Sequence, residues 1–456
     1  MRRVVKVSRI RIIITIIVVV LTTLLTGCTG KEPNEIAYVV ALGIDSTDDD
    51  NYKITIQYAN TTQISGGASE SGGKAGSEIV DNVTIEAPNI YAGVGLANNI
   101  VSKSFSMSHA KLIVFSKEIA KKGVKDLIET LVRSEEIRPD VFIAVANTTA
   151  NDYLTSVNPE MEVNPAQYYQ LIYQKNQLVG IPDGQLREFF TGLYTDNYDS
   201  ILPVAGVIEG AGGNSQNDDK GQSKDGQNEG SEGSSESLDS FESKSSDDKD
   251  ENEKEKDAEK NTSKYEYDIK NYVGGETAIE KKNKAEAIGA AVFEKDKMVG
   301  ELGEVETEIC KMLKGDYTYS YLTYYNNDTP DIPITVKTTQ QKKPKYKIDT
   351  DKKTVDIELY IESDLYSLPA DYNVENKIED FERDVANYTS SACTEFINNF
   401  TKKYNSDILK LNEKVKYKFL TNNQYNWFKK NVGWSEYKFS VCTNFKVRRT
   451  GLIVRE

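Results

Sequence analysis

The chain has 456 residues, with 71 acidic against 56 basic side chains, one histidine and four cysteines, and a net charge of −15. That length supplies about two to four domains with ample core, and the acidic balance argues against a nucleic-acid partner, which needs a basic face. The single imidazole excludes metal sites built on several histidines and leaves only His109 to serve a Ser-His-Asp or Cys-His nucleophile.

Arg2, Arg3, Lys6, Arg9 and Arg11 precede an apolar run from Ile12 to Leu25 that is broken only by Thr15, Thr22 and Thr23. A basic start, an apolar run and small residues before a cut make a secretory signal. The run is shorter than the ~20 apolar residues of a spanning helix. Its end, Leu25-Thr26-Gly27-Cys28, resembles the bacterial lipobox, a Leu and two small residues before an obligatory Cys. In that reading residues 1–27 are removed, the Cys28 thiol takes a diacylglyceryl group, and the new amino terminus is usually acylated too. Removing the five cations takes the net charge from −15 to −20. The alternative is an uncleaved anchor helix ending at Cys28. Either way the remaining chain lies outside the cytoplasm, at a membrane. Each buried acyl CH₂ contributes about 0.8 kcal/mol and a single chain holds only weakly, so stable anchoring needs more than one.

The mature chain opens on strands. Ile36 to Asp45 is a nearly continuous apolar run, the pattern of a buried strand, and Tyr52, Ile54, Ile56 and Tyr58 alternate with polar residues. Together they make a hairpin across the Asp-rich turn Ser46 to Asn51. Ser65 to Ser77 is a Gly/Ser loop without the setting of a phosphate loop. A strand over Glu78 to Glu86 and a helix opened by Pro88 and reaching Ser102 follow. Next come a strand over Ala110 to Ser116, one helix over Lys117 to Arg133, a strand over Val141 to Ala146 and a short helix over Ala150 to Val157. This alternation closes a first unit, 28–158.

The second unit, 159–315, starts at the helix signal Asn164-Pro165. It holds helices to about Gln177 and over Gly184 to Phe190, then a strand over Ile201 to Ile208. Residues 211–262 carry 16 acidic and 7 basic side chains, with Leu238 and Phe241 as the only large apolar groups. Such a stretch cannot offset its ordering entropy, so it reads as a disordered insertion. Beyond it, Glu286 to Phe293 and Lys297 to Leu302 form a hairpin across Lys295-Asp296, and Glu304 to Leu313 is a helix.

The third unit, 316–456, has a strand over Ile332 to Thr338 and a hairpin of Tyr346 to Ile348 with Val355 to Ile361. In the long helix 374–404, Val374, Ile378, Phe381, Val385, Tyr388, Ala392, Phe396 and Phe400 form a stripe. Val415 to Phe419 alternates as a strand, and Trp427 sits in a short helix. Tyr437 to Arg448 closes the chain as a strand with apolar and polar faces. The expected fold is α+β, three domains, each a mostly antiparallel or mixed sheet flanked by helices.

No catalytic constellation stands out. Ser106 and Ser108 precede His109, but sequence neighbours do not make a triad, and the carboxylates are too many for a glycosidase pair to be chosen. The acidic loop Asp45 to Asp50 has carboxylates of the kind that bind calcium, but it lacks EF-hand spacing. Cys310, Cys393 and Cys442 are far apart, with no Cys-x-x-Cys. Cys310 and Cys393 fall in helical patterns as small core residues; one disulfide among the three would leave an odd thiol. No metal or cofactor is expected.

The order of these stretches resembles the Ger(x)C spore-germination lipoproteins, the C subunits of GerA-type nutrient germinant receptors. The resemblance is carried by the lipobox and Ile36 to Asp45, by His109 to Ser116, and by Arg133 with Glu136-Ile137-Arg138 before the strand Val141 to Ala146. Gly289 to Leu302 and the closing long helix, Trp and strand reaching Gly451 extend it over nearly the whole mature chain. It implies a non-enzymatic, three-domain α+β body anchored through Cys28 on the outer face of the spore inner membrane. It also implies two integral-membrane partner subunits, one transporter-like and one larger. The long acidic insertion and the Ser/Gly loop depart from that pattern. The competing reading is a solute-binding lipoprotein of a transporter, whose two parallel-sheet lobes fit the hairpins poorly; a cell-wall hydrolase lacks its acid, base and metal groups.

Overall fold

The computed structural model describes residues 13–17, 35–49, 51–59, 80–158, 164–174, 180–195, 197–208, 271–277, 283–325, 333–367, 377–404 and 406–450. The expectations for Cys28, for Ser65 to Ser77 and for the acidic stretch 211–262 fall outside them. Among the described residues no helix is long and apolar enough to cross a membrane, which leaves membrane-spanning strands unaddressed.

The apolar run Ile36–Ser46 forms β1, buried along almost its whole length. It pairs antiparallel with β2 (Tyr52–Ala59), which pairs with β3 (Val80–Ala87). A three-residue β4 (Ser104–Ser106) lies parallel to the start of β1. On the other side of β1, the five-residue runs β5 (Leu112–Ser116) and β6 (Phe142–Ala146) add in parallel, followed by β7 (Ile201–Val207). The antiparallel pair β8 (Ala285–Glu294) and β9 (Lys297–Leu302) completes a nine-stranded mixed sheet. The sheet runs past residue 158 without a break, because Val145 and Ala146 of β6 pair with Val204 and Ala205 of β7. The expected first and second units therefore share one sheet. β7 and β8, on either side of residues 209–270, are antiparallel neighbours.

Helices cover both faces, as a sheet with a parallel centre requires. On one side α1 (Ile90–Ala97), α2 (Lys117–Lys122), α3 (Lys125–Val132) and α6 (Leu186–Thr195) pack over Ile44, Ile113, Phe115, Ile143 and Val145. On the other, α4 (Ala150–Ser156) and α5 (Pro165–Gln174) place Tyr153, Leu154, Tyr169 and Tyr173 against Leu112, Val114 and Ala144.

The expected single helix over Lys117 to Arg133 is two. Gly123, at φ 124°, ends α2 in a conformation that excludes a continuing helix, and the Val124 N–H donates to the Asp296 carbonyl of the β8–β9 turn at 3.0 Å. The helix expected from Pro88 to Ser102 is shorter, Ile90–Ala97. It is capped by Asn89, whose Oδ1 accepts the Ala92 N–H at 2.8 Å.

The last third builds a five-stranded sheet from β10 (Tyr319–Tyr325), β11 (Pro333–Gln340), β12 (Lys345–Asp349), β13 (Thr354–Ser367) and β14 (Lys438–Arg449). β13 is its axis, pairing antiparallel with β11 and β12 and parallel with β14. α8 (Ile378–Lys403) crosses one face, with Phe381, Val385, Phe396 and Phe400 buried. The short α7 (Glu304–Lys314) stands between the sheets. One continuous core joins Ile201, Val292 and Leu302 of the first sheet to Leu313, Ile357, Leu359, Ile397 and Phe439. The expected strand Val415 to Phe419 is instead the end of α9 (Leu411–Val415) and a 3₁₀ turn over Lys416–Lys418. Leu411, Val415 and Phe419 also recur every four residues, and the helical reading buries Leu411 and Val415 and half-buries Phe419 while Tyr417 faces water. α10 (Asn422–Asn431) precedes β14.

Candidate functional site

His109 lies exposed at the edge of the first sheet. Its Nδ1 is 3.0 Å from Ser108 Oγ, which is 3.0 Å from Ser106 Oγ, and its ring meets Tyr38 edge-on. Among the described residues no carboxylate hydrogen-bonds the imidazole, so the row is a surface hydrogen-bond chain without the third member that orients a general base. Asp45 is buried. Its Oδ1 accepts the Ala150 N–H at 2.7 Å and its Oδ2 the Asn151 N–H at 3.0 Å, so a strand residue caps α4 across the sheet. Burial pushes its carboxyl up against the pull of those two donors. Among the described residues no group of three or more His, Cys, Asp or Glu side chains could hold a metal ion. Cys310 and Cys393 are buried free thiols and Cys442 an exposed one.

The most built polar arrangement joins the two sheets. Asp199 precedes β7, and Asp407 lies between α8 and α9. The Asp407 N–H donates to Asp199 Oδ2 at 2.8 Å, and the Asp199 N–H donates back to the Asp407 carbonyl at 3.1 Å. Asp199 Oδ1 accepts the Lys295 N–H at 2.8 Å; Asp407 Oδ1 and Oδ2 accept the N–H groups of Leu411 and Asn412, each at 2.8 Å. Ser406 Oγ donates to the Phe293 carbonyl at 2.8 Å. Asp407 is pushed up to about 7, by burial first, against its two amide donors and with Asp199 adding to the rise. Asp199 is raised by the same burial. All four carboxylate oxygens are held by backbone amides. The pair therefore clamps the C-terminal sheet to the first one and offers no free oxygen to a substrate.

A cleft of about 550 Å³ opens beside the clamp, lined among others by Tyr198, Glu294, Lys295, Tyr404, Lys430 and Trp434. At its rim Lys410 Nζ sits 4.2 Å over the Tyr198 ring and 3.2 Å from Glu188 Oε2. On α7, burial pushes Glu308 up to about 7 and Lys311 down to about 8; Glu308 accepts from Ser320, and Lys311 Nζ donates to the Ile181 carbonyl at 3.0 Å. These too are links between parts of the body.

Sequence reading missed the clamp entirely. Asp199 and Asp407 are 208 residues apart, and neither stands in a pattern that singles it out. The polar face of β14 is exposed along most of its length. It forms a ladder with β13, Ser440 donating to Asp356 at 2.6 Å and Asn444 to Glu358 at 3.0 Å.

Comparison with known proteins supplies what the geometry does not. Residues 30–207 match the family model described as "Spore germination protein N-terminal domain", and residues 288–451 match "Spore germination B3/ GerAC like, C-terminal". The chain belongs to the Ger(x)C family of spore germination proteins. Within it, the chain is 26% identical over 174 residues to spore germination protein KC of Bacillus subtilis (strain 168), covering 35% of this chain and 42% of that one. It is 26% identical over 148 residues to spore germination protein B3 of the same organism, covering 30% and 36%. The chain thus spans less than half the length of these curated Ger(x)C relatives. The crystal structure of the GerBC protein aligns over 89% of this chain and 96% of its own, at 15% identity and a TM-score of 0.47.

Proposed function

We propose that this chain is a lipid-anchored, non-enzymatic subunit of a nutrient germinant receptor. It works outside the cytoplasm by docking on integral-membrane partners, one of them transporter-like. The observation that carries the reading is the order of parts: a basic, apolar, Leu25-to-Cys28 leader, followed by both germination-family domains in sequence. The engagement of Asp199 and Asp407 by backbone amides supports a role in binding rather than catalysis.

The test is a pull-down of the chain from spore membranes in mild detergent, with mass spectrometry of what accompanies it. Two polytopic proteins, one transporter-like, are expected; cassette-type ATPase subunits in their place would make the chain a solute-binding lipoprotein. In parallel, Cys28→Ala should leave the body folded and release it from the membrane fraction. A variant still membrane-bound and fully functional would remove the lipid site.

A further inference from the structure

The region around α9 and α10 differs from the rest of the chain in charge and in what it exposes. Residues 402–430 carry eight lysines, Lys402, Lys403, Lys410, Lys414, Lys416, Lys418, Lys429 and Lys430, against two carboxylates, Asp407 and Glu413, in a chain of net charge −15. Among the described residues Lys416, Lys418, Lys429 and Lys430 form no ion pair with a carboxylate. In the same stretch three large apolar side chains face water: Leu420 is 95% exposed, Tyr417 78% and Trp427 64%. Lys418, Phe419, Leu420 and Trp427 line one shallow apolar depression. The local fold holds them there. Val415, Tyr425 and Phe428 turn inward, the Thr421 side chain caps α10, and the 3₁₀ turn presents Tyr417 between two lysines.

We infer that this tip is a second membrane contact, in which Leu420, Trp427 and Tyr417 enter the headgroup layer of an anionic bilayer and the surrounding lysines meet lipid phosphates. The charge decides the occupant. An unpaired basic surface on an acidic chain seeks an anionic one, and each lysine near such a surface contributes about 1 kcal/mol. Trp and Tyr beside Lys, with an almost wholly exposed Leu, is the composition of side chains that sit at a bilayer interface. A shallow, open depression with an almost wholly exposed Leu suits a fluid surface better than a partner that needs shape complementarity. The inference rests on the reading that the chain works at a membrane; it adds that the body lies against the bilayer by this tip instead of hanging free from Cys28.

The chain has two tryptophans, and Trp434 is buried, so the difference between wild type and Trp427→Phe reports Trp427 alone. The full lipidated chain is reconstituted into phosphatidylcholine vesicles with and without phosphatidylglycerol, with acyl chains brominated or not. With phosphatidylglycerol at low salt, Trp427 emission should shift to the blue and be quenched by bromine, and added salt should reverse both. Lys416→Ala and Lys430→Ala should each lower the ratio of docked to free tip about fivefold, the equivalent of about 1 kcal/mol. Emission that is unshifted and unquenched while the chain floats with the vesicles would overturn the inference and leave the anchor standing. A chain that floats with neither vesicle removes the anchor and overturns the inference too; one that floats only with phosphatidylglycerol vesicles, and is released by salt, removes the anchor and keeps the tip. Absence of quenching, together with loss of polytopic partners from the pull-down on Leu420→Asp, would assign the tip to a protein instead.

Discussion

In the nine-stranded sheet the central strands β5 and β6 are buried at every residue, whereas in the five-stranded sheet β14 alternates buried and exposed along most of its length. The cause is what covers each. Helices lie on both sides of the first sheet, so its central strands β1, β5, β6 and β7 are nearly continuous apolar runs. The second is covered by α8 on one face, so its strands need only every other residue to be apolar. A strand's sequence therefore reports how many of its faces are covered. The polar link between the two sheets, the clamp of Asp199 and Asp407, lies where neither pattern speaks.

The largest expected effect tests the doubly covered sheet. Phe115 is fully buried in β5, paired with Ile44 on one side and Val145 on the other. Phe115→Ala should cost about 3–5 kcal/mol, because a close-packed interior on both sides relaxes little into the cavity. Denaturant melts check it; a loss below about 1.5 kcal/mol would mean that the helix layer over β5 is loose.

The clamp should show itself as a pH dependence. Asp407 has an ordinary value of 3.8 and sits at about 7 in the folded chain. Between those values the folded chain holds a proton that the unfolded chain has lost. Its contribution is therefore fully present below about 3.8 and is lost as pH rises through about 7. A displacement of that size is worth on the order of a few kcal/mol. Glu308, also raised to about 7, acts in the same direction, so the measurement is the difference between wild type and Asp407→Asn. Wild type should gain on the variant as pH falls from 8 to about 4.5; a difference independent of pH would show that the Asp407 carboxyl is not held up.

Much of this fold was legible because burial on two faces, or on one, leaves a direct trace in the order of residues. β1, the β8–β9 hairpin, α8 and β14 all carry that trace. β10 does not: in Tyr319–Tyr325, Tyr occurs on the buried and the exposed face alike, Tyr324 at 1% exposure and Tyr321 at 54%, so no alternation is visible. The break at Gly123 and the clamp depend on contacts with Asp296 and across 208 residues, which no local window contains. The lipid attachment proposed at Cys28 is the opposite case, a reading carried wholly by its neighbours in sequence.

A smaller effect tests the reach of β1 across its own sheet. Asp45→Ala would leave the N–H groups of Ala150 and Asn151 without their acceptor at the start of α4, at a cost of about 1–2 kcal/mol. Hydrogen exchange at those two amides should rise before that of β5. Equal rates would mean that α4 and the sheet open together.

The smallest expected effect repeats the opening contrast inside one strand. Asn444 and Phe445 are neighbours on β14; Asn444 is exposed and donates to Glu358, while Phe445 is 3% exposed beneath α8. Water replaces the bond that Asn444→Ala removes, so that variant should stay within about 0.5 kcal/mol of wild type. Phe445→Ala should cost about 3–5 kcal/mol, because its cavity has no such replacement. Paired thermal melts give both values in one experiment. A loss above about 1.5 kcal/mol at Asn444 would mean that the polar face of β14 is dry in the protein as purified. A dry face needs a cover, and the ladder of Asp356, Glu358, Ser440 and Asn444 would then be a surface that another chain occupies instead of one that faces solvent.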